Sequence, residues 1–223
     1  FVSMSIANLF AENNRERLAD IVEKVKEQAL KTREEEMQLT IQRQLMEERS
    51  KLKEQLQKEE SEKICDVTNG SLFADNQATK SNFINSFTNY SIYHLAMHSY
   101  LYADDFEKSC LLFANNEPLY FYELYEYFLP ADLVVLSACD TGNGTLIKGE
   151  GIMSLSRAFA YSGVKSAVVS LWQVPDKETS DLMILFYENL EKGLEKDKAL
   201  QLAKLEFLKQ NPLKSHPYYW SGF

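Results

Sequence analysis

No glycine precedes Gly70 and no proline precedes Pro118. A chain lacking both backbone breakers has few ways to turn. Residues from about Glu12 to Lys63 are dominated by Glu, Lys, Arg, Gln and Leu, all strong helix formers. The stretch is therefore predicted as a long helix. Apolar residues recur at Leu18, Ile21, Val22, Val25, Ala29 and Leu30, one stripe at helical spacing. The stripe then thins to Met37, Ile41, Leu45, Leu52 and Leu56, which suits a helix packed on a single partner, as in a coiled coil. Its charges nearly balance, with 14 acidic and 12 basic residues from Glu12 to Lys63. That is the pattern of a solvated connector, the plainer reading beside that of a helix recognising a specific partner. Ser5–Ala11 is compatible with the tail of a helical repeat array.

Composition changes from Ile64 onward, where aromatics crowd in and short apolar runs alternate with amphipathic stretches. Strands are predicted over Ser91–His98, Cys110–Ala114, Leu133–Cys139 and Lys165–Val174. Helices are predicted over Tyr120–Phe128, Gly151–Ser162, Asp176–Lys192 and Asp197–Lys209. Leu133–Cys139 has no polar alternation, the mark of a strand buried on both faces. Strands alternating with helices predict an α/β domain, a mostly parallel sheet in a three-layer αβα sandwich, over 64–223 behind the helical segment 1–63.

Several function classes are disfavoured. A net charge of −9 supplies no field for a phosphate backbone, so no direct nucleic-acid partner is expected. The longest uncharged apolar runs, Leu133–Cys139 and Ser166–Val174, are too short to span a bilayer, and no membrane partner is expected. Cys65, Cys110 and Cys139 are odd in number and unpaired in spacing, against a disulfide framework or a zinc site and in favour of a reducing cytoplasm. Gly149–Gly151 lacks the spacing of a phosphate loop and reads as a turn into a helix.

In a parallel α/β sheet, reactive side chains collect beyond the carboxyl ends of the strands. His98 closes one predicted strand and Cys139 another, and Cys139 is followed by Asp140, Thr141, Gly142, Asn143 and Gly144, a turn-forming run. Adjacent strand ends lie about 4.8 Å apart. A histidine and a cysteine at neighbouring tips can reach one substrate carbonyl, the requirement of thiol acyl transfer. The plainer alternative is a buried small thiol and a structural histidine.

The segments YHLAMHS (Tyr93–Ser99), ADLVVLSACDTGNG (Ala131–Gly144), GEGIMSLSRAFAYSGVKSAVVSLWQVPD (Gly149–Asp176) and HPYYWSGF (His216–Phe223) closely resemble the CHAT family, in the family's order. CHAT domains are caspase-like modules usually found behind TPR helical repeats. The resemblance runs from Leu72 to Phe223 and implies a cysteine endopeptidase with a protein substrate. It implies His98 as catalytic base and Cys139 as nucleophile, with the backbone amides of Ser99 and Cys139 forming the oxyanion hole. It makes His94 a packing residue that points into the sheet. Ser99 stands where caspase-like enzymes often carry Gly, and Met97 where the family commonly carries Thr. Trp172, Gln173 and Asp176, with Asp140, are implied near the residue before the cut, where an acidic pair would favour a basic side chain. Asp176 is alternatively the cap of a helix beginning at Lys177.

The resemblance implies no metal or cofactor. CHAT domains begin well before the catalytic strands, yet only about 30 residues separate Lys63 from His94, so a stretch between about 64 and 108 is expected to be missing. Two further expectations are an activating protein partner on the helical region and, as a competing function, a dormant scaffold acting by protein–protein contact.

Overall fold

The computed structural model describes residues 2–100, 102, 106–137, 150–172 and 174–223, and their side chains except at 2–13, 16, 106 and 150–154. The chain divides into two units, Phe1–Leu52 and Lys53–Phe223. Helix α1, Val2–Thr68, covers all the described residues of the first unit. Every described side chain of that unit is exposed. Local contacts hold it: Lys24 Nζ lies 2.8 Å from Asp20 Oδ2 one turn back, and the Thr32 and Thr40 hydroxyls donate to the carbonyls of Gln28 and Glu36.

In the second unit α1 ends where Asn69 turns left-handed, at φ 49°. The Gly70 N–H then donates back to the Cys65 carbonyl at 3.1 Å, closing the exposed end of the helix. Between this helix end and the first strand lie a turn at Asp75–Gln77 and a short helix α2, Lys80–Asn85. Thr79 caps α2 by accepting from the Asn82 N–H at 3.1 Å.

Two three-stranded sheets follow. Strands β1 (Ile92–Leu95), β5 (Leu133–Leu136) and β6 (Ala167–Val169) form a parallel sheet in the order β1-β5-β6. Its register pairs Leu95 with Leu136 and Leu136 with Val169. Strands β2 (Ser99–Tyr100), β3 (Cys110–Phe113) and β4 (Glu117–Tyr120) form an antiparallel sheet in the order β2-β3-β4. The expected parallel sheet is present but small, and among the described residues a second, antiparallel sheet stands beside it in the chain order. The reason for the second sheet is the hairpin at Asn115 and Asn116, whose φ values of 61° and 57° suit a residue type that tolerates left-handed backbone. The predicted helix over Tyr120–Phe128 is a 3-10 helix at Phe121–Glu126.

Helices α3 (Glu150–Tyr161), α4 (Asp176–Glu191) and α5 (Lys196–Gln210) complete the second unit. Residues of β5 are buried on alternating faces of the parallel sheet. Val134 and Leu136, with Tyr93 and Leu95, join an apolar core with Leu111, Leu155 and Phe159. Leu133 and Val135 join the other, with Ile64 of α1, Leu182 and Phe186 of α4 and Phe207 of α5. The unit is an α/β arrangement with an apolar core on each face of its parallel sheet.

Candidate functional site

The parallel register organises the carboxyl edge of the sheet. Strand β1 ends at Leu95, not at the expected His98, because the chain leaves β5 there and joins β3. His98 follows Leu95 by three residues, and Cys139 follows the paired Leu136 by three. Trp172 follows Val169, the partner of Leu136 on β6, by the same number. These are positions in the sequence beyond the last paired residues, since the parallel register itself ends at Leu95, Leu136 and Val169. Cys139 lies outside the described residues, as do Asp140 and Gln173.

His98 is half-buried, and its carbonyl accepts from the Leu112 N–H at 2.9 Å. In an antiparallel pair such bonded positions alternate with unbonded ones. Ser99, opposite Leu111, therefore takes an unbonded position, and its N–H is directed away from β3. The Ser99 hydroxyl is buried and has no hydrogen-bond partner among the described residues.

Trp172 is half-buried and donates from Nε1 to the Tyr218 carbonyl at 3.0 Å. Beside it the Leu171 N–H donates to the Gly222 carbonyl at 2.7 Å, so β6 gives way to the terminal HPYYWSGF segment instead of extending to Val174. A Cβ at position 222 would lie 2.8 Å from Val174 Cγ2, and only glycine permits that approach. Asp176 is the first residue of α4, behind Pro175 at the cap position, which corrects the expectation that it caps a helix starting at Lys177. A carboxylate in the first turn still opposes the positive end of the helix dipole.

His94, expected as a packing residue, is enclosed against Tyr187. It points away from the Tyr93–Leu95 core into a polar cluster. Its Nδ1 lies 3.2 Å from the Tyr187 hydroxyl of α4, and its Nε2 lies 3.0 Å from Ser137 Oγ, just past β5. Glu60 Oε1 of α1 also approaches Nε2, at 3.2 Å, within ion-pair reach. Yet that oxygen has no partner of hydrogen-bond geometry. The two observations agree if the ring nitrogen is aimed at Ser137, with the carboxylate held alongside by electrostatics. Burial, and then the Glu60 charge, push the Tyr187 hydroxyl far above its usual range, so it stays a neutral phenol. The two ring nitrogens of His94 thus link Tyr187 of α4 to Ser137 at the end of β5. Nothing in a run of glutamates marks Glu60 for this position, whereas Ser137 stands inside the SAC motif itself.

A cavity of about 500 Å³ lies beside β1, lined from Tyr90 to Met97 and closed by Ile64 and Cys65 of α1. Its lining among the described residues stops one position short of His98. Among the described residues no group of three His, Cys, Asp or Glu side chains converges to hold a metal, and no helix is long and apolar enough to cross a membrane.

Comparison with known proteins places these features in context. The CHAT domain family model matches residues 9–223. Tetratricopeptide repeat protein 28 of Homo sapiens is 35% identical over 95 residues, 43% of this chain and 4% of that protein. The Mus musculus protein of the same name is 33% identical over 101 residues, 45% of this chain and again 4% of its own length. The chain thus covers a small part of these curated relatives.

Proposed function

Because this chain belongs to the CHAT domain family, we propose that it is a caspase-like cysteine endopeptidase with His98 as base and Cys139 as nucleophile. The observation that supports the reading is the pairing of Leu95 with Leu136 at the ends of two adjacent parallel strands, after each of which the sequence brings one of the two residues three positions on. A three-layer caspase-like sandwich agrees with the parallel sheet and its two apolar cores.

His98 takes the thiol proton, and the Cys139 thiolate attacks the scissile carbonyl. The tetrahedral oxyanion is held by the N–H groups of Ser99 and Cys139. The Ser99 amide, turned away from β3, is available for that task. Collapse expels the amine, which takes its proton from the imidazolium, and leaves a thioester. Water deprotonated by His98 then releases the acid. This chemistry draws on no metal or cofactor, and a reducing cytoplasm keeps the thiol in its active form. Asp140, Gln173 and Asp176, with the Trp172 indole, form the pocket for a basic residue before the cut. An activating protein partner engages the helical region.

The competing reading is a dormant scaffold, favoured by one observation: Leu18, Ile21 and Val25 of the first unit lie exposed on one side of α1, as a protein-binding helix requires. Peptide-library cleavage separates the two. The wild-type chain is expected to generate new amino termini after Lys or Arg, and Cys139→Ala and His98→Ala to generate none. Equal cleavage by Cys139→Ala excludes the peptidase. Absence of cleavage by every form, together with no labelling of Cys139 by a thiol-directed probe, establishes the scaffold.

A further inference from the structure

Glu60 is an expensive residue where it stands. It sits on α1 facing the sheet, 2% exposed, and three residues earlier Gln57 is 8% exposed. Gln57 Nε2 and Glu60 Oε1 are both buried without a hydrogen-bond partner. A buried carboxylate costs several kcal/mol unless its surroundings compensate, and the compensating group here is the His94 ring. That ring spends its hydrogen bonds on Tyr187 and Ser137. Ser137 is the last described residue of its segment and precedes Cys139 by two positions.

We propose that Glu60 and His94 are positioning residues, fixing Ser137 at the end of β5 and through it the segment that carries Cys139. The proposal rests on the reading of Cys139 as nucleophile. The carboxylate orients the imidazole, the imidazole fixes the serine hydroxyl, and Tyr187 closes the chain from α4. The C-terminal part of the long helix thereby bears on the strand end that precedes the thiol, without touching substrate.

The sign of the effect separates positioning from simple electrostatics. A nearby carboxylate disfavours a thiolate, so neutralising it would speed alkylation if charge alone mattered. Positioning requires the reverse. In the whole chain with Cys65→Ser and Cys110→Ser, Glu60→Gln preserves shape and removes charge. It is expected to slow iodoacetamide alkylation of Cys139 roughly tenfold, the scale seen when an outer partner of a functional ligand is removed. Amide exchange of the peptide 133–139 should quicken, with the thermal midpoint unchanged or raised. The Glu60→Gln, Ser137→Ala double variant should be no slower than the slower single variant, because both act through one chain.

Unchanged exchange in Glu60→Gln overturns the proposal, as does unchanged or faster alkylation of a thiol that reacts rapidly in the parent chain. If the parent Cys139 alkylates only at the rate of an ordinary thiol and His98→Ala leaves that rate alone, the peptidase reading fails instead. Exchange then still decides whether Glu60 holds the end of β5.

Discussion

Two stretches of α1 follow opposite rules. Up to Leu52 its apolar residues face solvent, with Leu18 61% and Ile21 55% exposed. From Lys53 one side of the helix packs on protein, and even the polar Glu60 and Gln57 are buried there beside Ile64. The first stretch forgoes roughly 25 cal/mol for every Å² of apolar surface left in water. It persists through helix propensity and local pairs such as Lys24–Asp20, each contributing a few tenths of a kcal/mol. The second stretch is held by tertiary packing, Ile64 and Val67 against the core of α4 and α5. Within one helix, then, hydrophobicity does not decide which residues are enclosed. The presence of a complementary partner does.

The contrast breaks most readily at its most polar point. His94→Leu removes the ring beside Glu60, and stranding a buried carboxylate costs about 3–5 kcal/mol. The denaturant midpoint should fall accordingly. Adding Glu60→Met should restore most of the loss, since an apolar pair of similar volume requires no compensation. A loss no larger than that of a surface substitution would show that Glu60 has ready access to water. Next in size, Ile64→Ala opens a cavity in the core shared with Leu182 and Phe207, for about 2–4 kcal/mol. Leu45→Ala, in the exposed stretch, should change stability by less than about 0.5 kcal/mol. Equal midpoints for these two variants would erase the distinction between the stretches.

The amphipathic helices were legible because their periodicity coincides with burial. Asp176–Lys192 and Asp197–Lys209 differ from α4 and α5 by a residue or so at each end. β5 was equally legible as an unbroken apolar run, and it set the position of the site. β4 was not, because Pro118 lies within it and the Asn115–Asn116 turn is not one of the common hairpin signals. Strand ends were also hidden. β1 stops at Leu95 and β6 at Val169 because their chains find partners in β3 and the terminal segment, which local pattern cannot anticipate. His98 and Trp172 both come three residues after these strand ends. The Glu60–His94–Tyr187 contact joins positions far apart in sequence, and no short-range signal encodes it.

Asp181 gives the smallest and most pH-specific test of the buried end of α1. It lies on α4, where burial raises its carboxyl above the ordinary value of 3.8 against the opposing pull of Lys177, Lys214 and Lys63, the last from α1 itself. A raised folded-state value means that the fold prefers the protonated acid. Its favourable contribution is therefore complete below the unfolded value and is lost as pH rises through the folded one. At neutral pH the charged carboxylate is a net penalty, held under about 1 kcal/mol by solvent screening at this half-buried position. Asp181→Asn should accordingly raise the denaturant midpoint at pH 7, and the gain should shrink as pH falls through the folded-state value and vanish below the unfolded one. A gain that persists unchanged into acid would mean that the amide makes a new contact. A loss at pH 7 would mean that attraction to the three lysines outweighs desolvation, and that the end of α1 is enclosed less completely than its polar stripe implies.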